Sequence, residues 1–252
     1  MRKVISCTIA GLAGLAMSAP SLAQFASFEP ADGGIYFSGF AGGGFASDAG
    51  FNGEQNPAAG VAGVAGAPAN VVAEFDTDIF YGGAIGYQLP FTSFKYFHPR
   101  VEIEVSSLDS DVSAGSFNGG NQTFSGDQSQ LFLFLNSYND IKWNPNQRFI
   151  PYIGGGIGVA FIDENILYFP NNGIATAPTV GVFNDETAIA THGAIGMTYK
   201  FTDSLEVYTE GRYTSVYGVD AERRFIANDG FNADVSDRIN GFSATGGIRV
   251  RF

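Results

Sequence analysis

The end of the chain, residues 239–252, alternates apolar and polar positions. Phe252, Val250 and Ile248 fall on one face, and Arg251 and Arg249 fall on the other. A period of two predicts a β-strand with one apolar and one polar side. Two arginines would not be accepted unpaired inside a soluble sandwich. The pattern therefore favours a transmembrane barrel strand, with lipid on one face and a polar lumen on the other, over an edge strand of a soluble sandwich.

Seven further strands are predicted from similar patterns, and the loops between them alternate in length. The strands are expected at residues 33–47, 74–89, 100–107, 128–141, 148–163, 187–201 and 205–219. Long polar segments are expected to be loops at residues 48–73, 108–127, 164–186 and 220–238, and short turns at 90–99, 142–147 and 202–204. This layout predicts an all-β protein, an eight-stranded antiparallel up-and-down transmembrane β-barrel with long external loops and short periplasmic turns. The facing of the first and fourth strands stays open.

The composition supports the membrane interpretation. The chain contains 34 glycines and 24 phenylalanines, and only 15% of its residues are charged. Such values are unusual for a soluble globular domain. The net charge of −12 argues against a nucleic-acid partner, which would favour a basic face.

The first 23 residues have the pattern of a secretory signal peptide. Arg2 and Lys3 form a charged start, an apolar run follows to Ala19, and residues 21–23 form a small-residue cleavage site. The alternative, a membrane-anchoring helix, is disfavoured because the apolar run is short and meets Pro20. We expect residues 1–23 to be removed and residues 24–252 to form the barrel in the outer membrane of a Gram-negative cell. The only cysteine, Cys7, would be lost, so no disulfide is expected.

Charged residues on the polar strand faces are the first candidate site. An eight-stranded barrel is just wide enough to be filled by side chains, and charges buried there must be paired. Because the last two strands are neighbours, we expect Glu206 and Glu210 to lie near Arg251 and Arg249. A salt-bridged plug and a gated ion path are both open interpretations. The proposed lumen charge network is Arg100, Glu102, Glu104, Glu206, Glu210, Arg212, Arg249 and Arg251.

Aromatic residues cluster near the predicted short turns. Amphipathic rings favour the headgroup level of a bilayer, so these residues are expected to form an aromatic girdle on the periplasmic side. Ordinary core packing is the alternative. The expected girdle residues are Phe91, Phe94, Tyr96, Trp143, Tyr199 and Phe201.

No pattern of catalytic or cofactor-binding residues is recognised. The glycines at 154–156 and 158 match the spacing of neither the G-x-G-x-x-G loop nor the Walker loop, both of which bind phosphate groups. Small residues that point into a crowded lumen explain them better. His98 and His192 are the only histidines, with no metal-ligand spacing around them and no arrangement for a serine nucleophile. We therefore expect no enzyme activity, metal or cofactor.

Three segments resemble the eight-stranded outer-membrane β-barrel family. They are residues 152–158 (Tyr-Ile-Gly-Gly-Gly-Ile-Gly), residues 136–140 and the terminal Arg-Val-Arg-Phe at 249–252. That family includes OmpA-like barrel domains, opacity proteins, and the surface-antigen and porin-family barrels of alphaproteobacteria. The resemblance implies that Phe252 is an insertion signal read by the barrel-assembly machinery. Since no peptidoglycan-binding domain follows Phe252 here, wall anchoring is not implied.

These observations together favour a structural, surface-exposed barrel with an antigen or adhesion type of role. Its expected partners are outer-membrane lipid, the barrel-assembly machinery through the C-terminal strand, and a host or extracellular ligand at the loops. We expect a monomer. The alternative is a small porin or channel for ions or small solutes.

Overall fold

The computed structural model describes residues 28–30, 33–46, 49–57, 64–117, 120–169, 176–226 and 228–252. The predicted signal peptide at residues 1–23 lies outside these ranges, so its cleavage stays a prediction. No helix among the described residues is long and apolar enough to cross a membrane.

Eight strands, numbered here β1 to β8 in chain order, form a closed antiparallel ring. Each strand pairs with the next, and β8 returns to pair with β1 from Gly241 opposite Ala46 to Arg251 opposite Tyr36. The predicted all-β, eight-stranded up-and-down barrel is therefore confirmed. The strands are β1 Gly34–Ala46, β2 Asp78–Gln88, β3 Phe97–Phe117, β4 Gly120–Ile141, β5 Phe149–Phe169, β6 Val180–Lys200, β7 Leu205–Phe225 and β8 Asn228–Arg251.

Five short strands add to the two ends of the ring. Phe28–Pro30 pairs with Phe91–Ser93 next to the β2–β3 turn. The other three, Ala49–Gly53, Asn56–Pro57 and Val71–Phe75, follow β1 and continue the wall between β8 and β3. The wall therefore stays closed beyond the end of β1.

The outer surface of the ring is apolar and the interior is charged. On β3, Ile103 is 61% exposed while its neighbour Glu104 is 1% exposed. The two strands whose facing was open follow the same rule. β1 directs Ile35 outward and Tyr36 inward, and β4 directs Leu135 outward. This inverted arrangement is stable only where the exterior meets lipid instead of water.

Three of the four predicted long loops, 108–127, 164–186 and 220–238, are wrong over most of their length, whereas the described part of 48–73 contains only the short strands named above. Residues 108–117 and 120–127 belong to a ladder that reaches Phe117 opposite Gly120, and residues 220–225 and 228–238 belong to one that reaches Phe225 opposite Asn228. The segment 164–186 is paired as far as Tyr168 opposite Val180. The strands continue past the apolar belt, whose outward residues give way to Asp109 and Asp111 on β3. We call this continuation, on the side of the predicted long loops, the β extension.

The β extension is stabilised by its own apolar interior. Inward-facing residues from five strands and two of the short segments, together with Ala69, pack into a second core, which Phe75 links to that of the membrane barrel. Glycine, serine and aspartate on the outer face hide this pattern, because their low strand propensity indicates a loop. Beyond the belt β3 continues for about ten residues, or about 30 Å along the strand. The members of this core are Phe51, Ala69, Val71, Ala73, Phe124, Ile166, Val182, Ala221, Ala233 and Val235.

Four inward tyrosines each lie over a glycine directly opposite on the neighbouring strand. In one pair, Tyr152 on β5 faces Gly196 on β6, where an added Cβ would collide with the phenol ring. The bare glycine backbone lets the ring lie flat against the wall, which leaves space in the narrow lumen for the charged side chains. The pairs are Tyr36 with Gly86, Tyr138 with Gly154, Tyr152 with Gly196 and Tyr208 with Gly247.

Candidate functional site

The lumen holds two connected clusters of charged residues. The first lies toward the short turns, where Arg100 and Arg249 are each about 1% exposed. Arg100 Nε is 3.1 Å from Asp140 Oδ1, and its guanidinium also contacts Glu102. Arg249 Nη1 is 3.0 Å from Glu206 Oε2. Three guanidinium groups, counting Arg251, therefore face three carboxylates, so the cluster is neutral.

The second cluster is centred on Arg212. Its guanidinium donates to both oxygens of Glu104 at 2.5 and 2.8 Å, a bidentate geometry that favours a planar pair. Arg212 Nη2 also donates to Glu210 Oε1 at 2.9 Å. Tyr152 Oη donates to the second oxygen of Glu210 at 3.1 Å.

One predicted pairing is wrong. Glu210 does not meet Arg249, because β7 and β8 pair Glu206 with Arg249 and Glu210 with Thr245. Arg249 and Arg251 both bind Glu206, and Arg251 Nε lies 2.7 Å from Glu206 Oε1. Glu210 lies four residues further along β7 than Glu206, near the level of Arg212. Arg212 is therefore the partner of the Glu210 carboxylate.

A hydrogen-bonded chain continues from Glu104 to His192. Asn136 Nδ2 donates to Glu104 Oε2 at 2.8 Å, so the Asn136 oxygen is left to accept from His192 Nε2, also at 2.8 Å. This places the proton of a neutral His192 on Nε2. His192 is 7% exposed and stacks edge-on against Phe134, with ring centroids 4.7 Å apart. It is a buried polar residue of the wall, and no serine nucleophile contacts it in the described part of the chain.

Several network residues were missed by the sequence analysis. Asp140 is 1% exposed and binds Arg100, yet the facing of the fourth strand was left open. The alternation starting from Leu131 would have placed Asp140 inside, together with Asn136 and Tyr138. The tyrosines were missed because their role depends on cross-strand partners. Arg100 lies over Tyr138 with 4.1 Å between its Cζ and the ring centroid, and Arg249 lies over Tyr36 at 4.9 Å.

An apolar layer closes the lumen beyond the charges. Arg212 Cζ is 5.6 Å from the Phe40 ring and 5.5 Å from the Phe80 ring, so the network ends directly against this layer. On the β-extension side of this layer, the buried carboxylate of Glu164 accepts hydrogen bonds from Gln128 and Asn184. The layer contains Phe40, Phe80, Leu108, Phe132, Phe134, Val216 and Ile239.

The aromatic residues expected near the short turns are mostly at the surface. Phe94, Trp143 and Phe201 are 56%, 61% and 55% exposed, and Tyr96 is also exposed. Tyr199 is half-buried and stacks on Phe149 and Phe201. Phe91 is half-buried, in the short strand that pairs with Phe28–Pro30. Their role as a lipid-headgroup girdle remains a proposal.

Two open cavities lie at opposite ends of the molecule. A cleft of about 640 Å³ opens in the β extension, where pairing between β6 and β7 is interrupted between Phe183 and Ile189. Asp185, Glu186 and Asp220 line this cleft, but no group of three potential metal ligands occurs among the described residues. The other cavity, about 330 Å³, opens at the short-turn end of the barrel.

Comparisons with known proteins find similar architectures among solved structures but not among sequences. No protein-family model matches the sequence, and no curated protein sequence matches it either. The structure is similar to the outer membrane protein OprG from Pseudomonas aeruginosa, with a TM-score of 0.50 and 15% identity over 89% of this chain and 98% of that chain. The outer membrane protease OmpT from Escherichia coli gives a TM-score of 0.48 at 13% identity, covering 90% of this chain and 98% of that one.

At these identities the likeness to OprG shows the fold alone. The closed ring, the apolar exterior and the ion-paired interior agree with it, and together they define an eight-stranded transmembrane β-barrel of the outer-membrane type.

Proposed function

We propose that this protein is a structural barrel of the Gram-negative outer membrane that presents the β extension at the cell surface. Its role would be that of a surface antigen or adhesin, with neither catalysis nor steady transport through the lumen. The filled lumen is the observation that carries this proposal. The alternative, a small porin, would require a water-filled path through the ion-paired clusters and the phenylalanine layer.

The charge of the β extension supports a cationic binding partner. Its outward face carries many exposed carboxylates, which would attract a basic ligand and repel an anionic one. On the same face, Arg224 lies over the Phe183 ring at 4.5 Å. The exposed acidic residues include Asp109, Asp111, Asp127, Asp163, Asp185, Asp220 and Glu222.

Planar-bilayer recording of the purified protein separates the closed barrel from the porin. We expect little steady conductance from the unmodified protein. A control with Glu104→Ala and Arg212→Ala removes one ion pair across the lumen and should conduct more, which demonstrates insertion. Large, stable, ion-selective steps from the unmodified protein would establish the porin and overturn this proposal.

Binding of labelled poly-lysine and poly-glutamate to intact cells tests the surface role. Poly-lysine should bind, and replacing Asp109, Asp111 and Asp127 with Asn should weaken binding. Asp203→Asn, at the opposite end of the barrel, is the matched control and should have no effect. Equal binding of both polymers would contradict a charge-selective surface.

A further inference from the structure

The cavity at the short-turn end, called here the short-turn mouth, is lined by cationic, amide and carboxylate side chains, with the cations in excess. Its volume is about 330 Å³, and it opens between the end of β8 and the β4–β5 and β6–β7 turns. Three cations outnumber two carboxylates in its polar lining, which consists of Lys142, Lys200, Arg251, Asp203, Glu206, Gln88, Gln147 and Ser204.

Arg251 is held in a fixed orientation at the base of the short-turn mouth. Its Nε donates to Glu206 Oε1 at 2.7 Å, and its Nη1 donates to Gln88 Oε1 at 3.2 Å. The Gln88 amide is in turn fixed by hydrogen bonds to the carbonyls of His98 and Pro99, at 3.1 and 2.9 Å. Arg251 Nη2 also lies 3.8 Å from Asp140 Oδ2, but the side chain is still 18% exposed, so the part of this guanidinium that faces the cavity can meet a ligand.

Lys142 supplies a cation without a salt-bridge partner. The residue is half-buried, and no carboxylate among the described side chains lies within salt-bridge distance of its ammonium group. Burial lowers the pKa of Lys142; Asp140 and Glu206 oppose this effect, while Arg251 and Lys200 add to it. An anion in the cavity would offset both the desolvation and the repulsion between cations.

Lys200 provides a second, more loosely held cation at the rim. Its Nζ is 2.9 Å from Asp203 Oδ1, but the Asp203 side chain is 99% exposed. A pair this exposed to solvent is weak and can exchange for another anion. Lys142 and Lys200 can therefore both contact a ligand while Arg251 stays in place.

The charge of this end of the molecule differs from that of the β extension. Lys95, Lys142, Arg148 and Lys200 all lie at the short turns, whereas Asp203 is the exposed carboxylate among the side chains described there. The exposed carboxylates of the β extension lie at the other end. An acidic protein with a net charge of −12 thus presents a local basic rim around one cavity.

We propose that the short-turn mouth binds a phosphate group, carried either by an anionic phospholipid of the adjacent leaflet or by a soluble phosphate compound. One guanidinium and two ammonium groups converge on a cavity large enough for a phosphate and its substituent, while the Gln88 and Gln147 amides are held by backbone carbonyls. Charge-assisted hydrogen bonds from such donors are the stronger ones in proteins. The exposed Phe252 at the edge of the mouth would contact a lipid chain but not a soluble phosphate.

The test is ³¹P NMR line broadening with the full barrel in a phosphorus-free maltoside detergent. The probes are inorganic phosphate, dihexanoyl phosphatidylglycerol and, as the zwitterionic control, dihexanoyl phosphatidylcholine. We expect saturable broadening of one or both anionic probes at concentrations that leave phosphatidylcholine unaffected. Phosphatidylglycerol alone would identify a lipid site, and inorganic phosphate with equal or greater affinity would identify a soluble ligand.

Variants locate the site within the molecule. Lys142→Gln with Lys200→Gln should weaken binding at least about tenfold, which corresponds to about 1.4 kcal/mol. Lys95→Gln, on the same rim but outside the cavity, should bind as the unmodified protein does. Lys142→Arg keeps the charge and should retain binding, so it tests the site even if the double variant fails to fold. Absence of saturable broadening, or equal loss in Lys95→Gln, would overturn the proposal; neither depends on conductance or surface binding.

Discussion

At the residue scale, the charges of the lumen are paired with partners that are distant in sequence. Glu104 and Arg212 are 108 positions apart, yet they form the bidentate pair at the centre of the second cluster. Both are at most 3% exposed, so removal of either one leaves a charge in a narrow, poorly solvated space. The strand register decides which carboxylate each arginine meets.

Two double-mutant cycles that share Arg249→Met test the register. Each single change that leaves a buried charge should cost about 3–5 kcal/mol of unfolding free energy. Combined with Glu206→Gln, the contact partner, Arg249→Met should show a coupling of about 0.5–3 kcal/mol in urea unfolding. Combined with Glu210→Gln, whose partner is Arg212, it should be additive within about 0.5 kcal/mol. The reverse result would mean that β7 and β8 are paired in another register.

The glycines opposite the tyrosines give a second residue-scale prediction. Gly196→Ala places a methyl group against the Tyr152 ring and should destabilise the barrel by about 1–3 kcal/mol. Gly193→Ala, on the outward face of the same strand, meets nothing within 4 Å and should be close to neutral. Urea unfolding of both variants in the same lipid measures the difference. Equal effects would show that strand propensity, not packing of the ring, makes Gly196 necessary.

At the element scale, β3 to β8 are longer than a bilayer requires. A transmembrane strand needs about 9–11 residues, whereas β3 has 21 and β8 has 24. The extra strand length is stabilised by hydrogen bonds between neighbouring strands and by apolar packing in the interior of the β extension. The β extension is therefore expected to behave as a rigid wall, which bears on how it would present a binding surface.

Limited trypsin digestion tests this rigidity at Arg223–Arg224. Both residues lie within the β7–β8 ladder, opposite Ala233 and Asn232, so cleavage there should be slow in the folded protein. The same bond should be cut rapidly after boiling in detergent. Fast cleavage of the folded form would instead support the flexible loop that the composition of residues 220–238 predicts.

The C-terminal strand carries a prediction about assembly. The Phe252 ring is 80% exposed and makes only an edge contact with Phe37, at a centroid distance of 5.8 Å, so it adds little packing. If it is the insertion signal, Phe252→Ala should reduce the fast-migrating folded form in outer membranes without lowering stability after refolding in vitro. Phe242→Ala, another lipid-facing aromatic of β8, is the control and should assemble normally. Normal assembly of the Phe252 variant would refute this role.

At the scale of the whole molecule, the two ends carry opposite charge. The β extension exposes carboxylates, while the short turns expose Lys95 and Arg148 and carry the half-buried Lys200. In barrels of this type, the short turns between strands lie in the periplasm. In the orientation that we therefore expect, the acidic end faces outward and the basic end lies beside the phospholipids of the inner leaflet.

Epitope tags at two turns test this orientation. If this turn faces the periplasm, as we expect, a tag in the 202–204 turn should be detected only after the membrane is permeabilised. A tag between Phe225 and Asn228 should be detected on intact cells. Labelling of the first tag on intact cells would show that the barrel is inserted the other way round.

The sequence by itself determined the strand number, the antiparallel order and which face of most strands meets lipid. It could do so because the period-2 pattern is local. On β3, for example, Val101, Ile103 and Val105 lie on one face of the strand, and Glu102 and Glu104 lie on the other. Only the tertiary structure decided the partner of Glu210, the inward place of Asp140 and the packing of tyrosines on glycines, since each depends on the register between strands. The β extension was hidden for a related reason: the glycine, serine and aspartate of its outer face indicate a loop locally. Phe124 and Val182 stabilise it only when the ring brings them together, and nothing local to either residue indicates that contact.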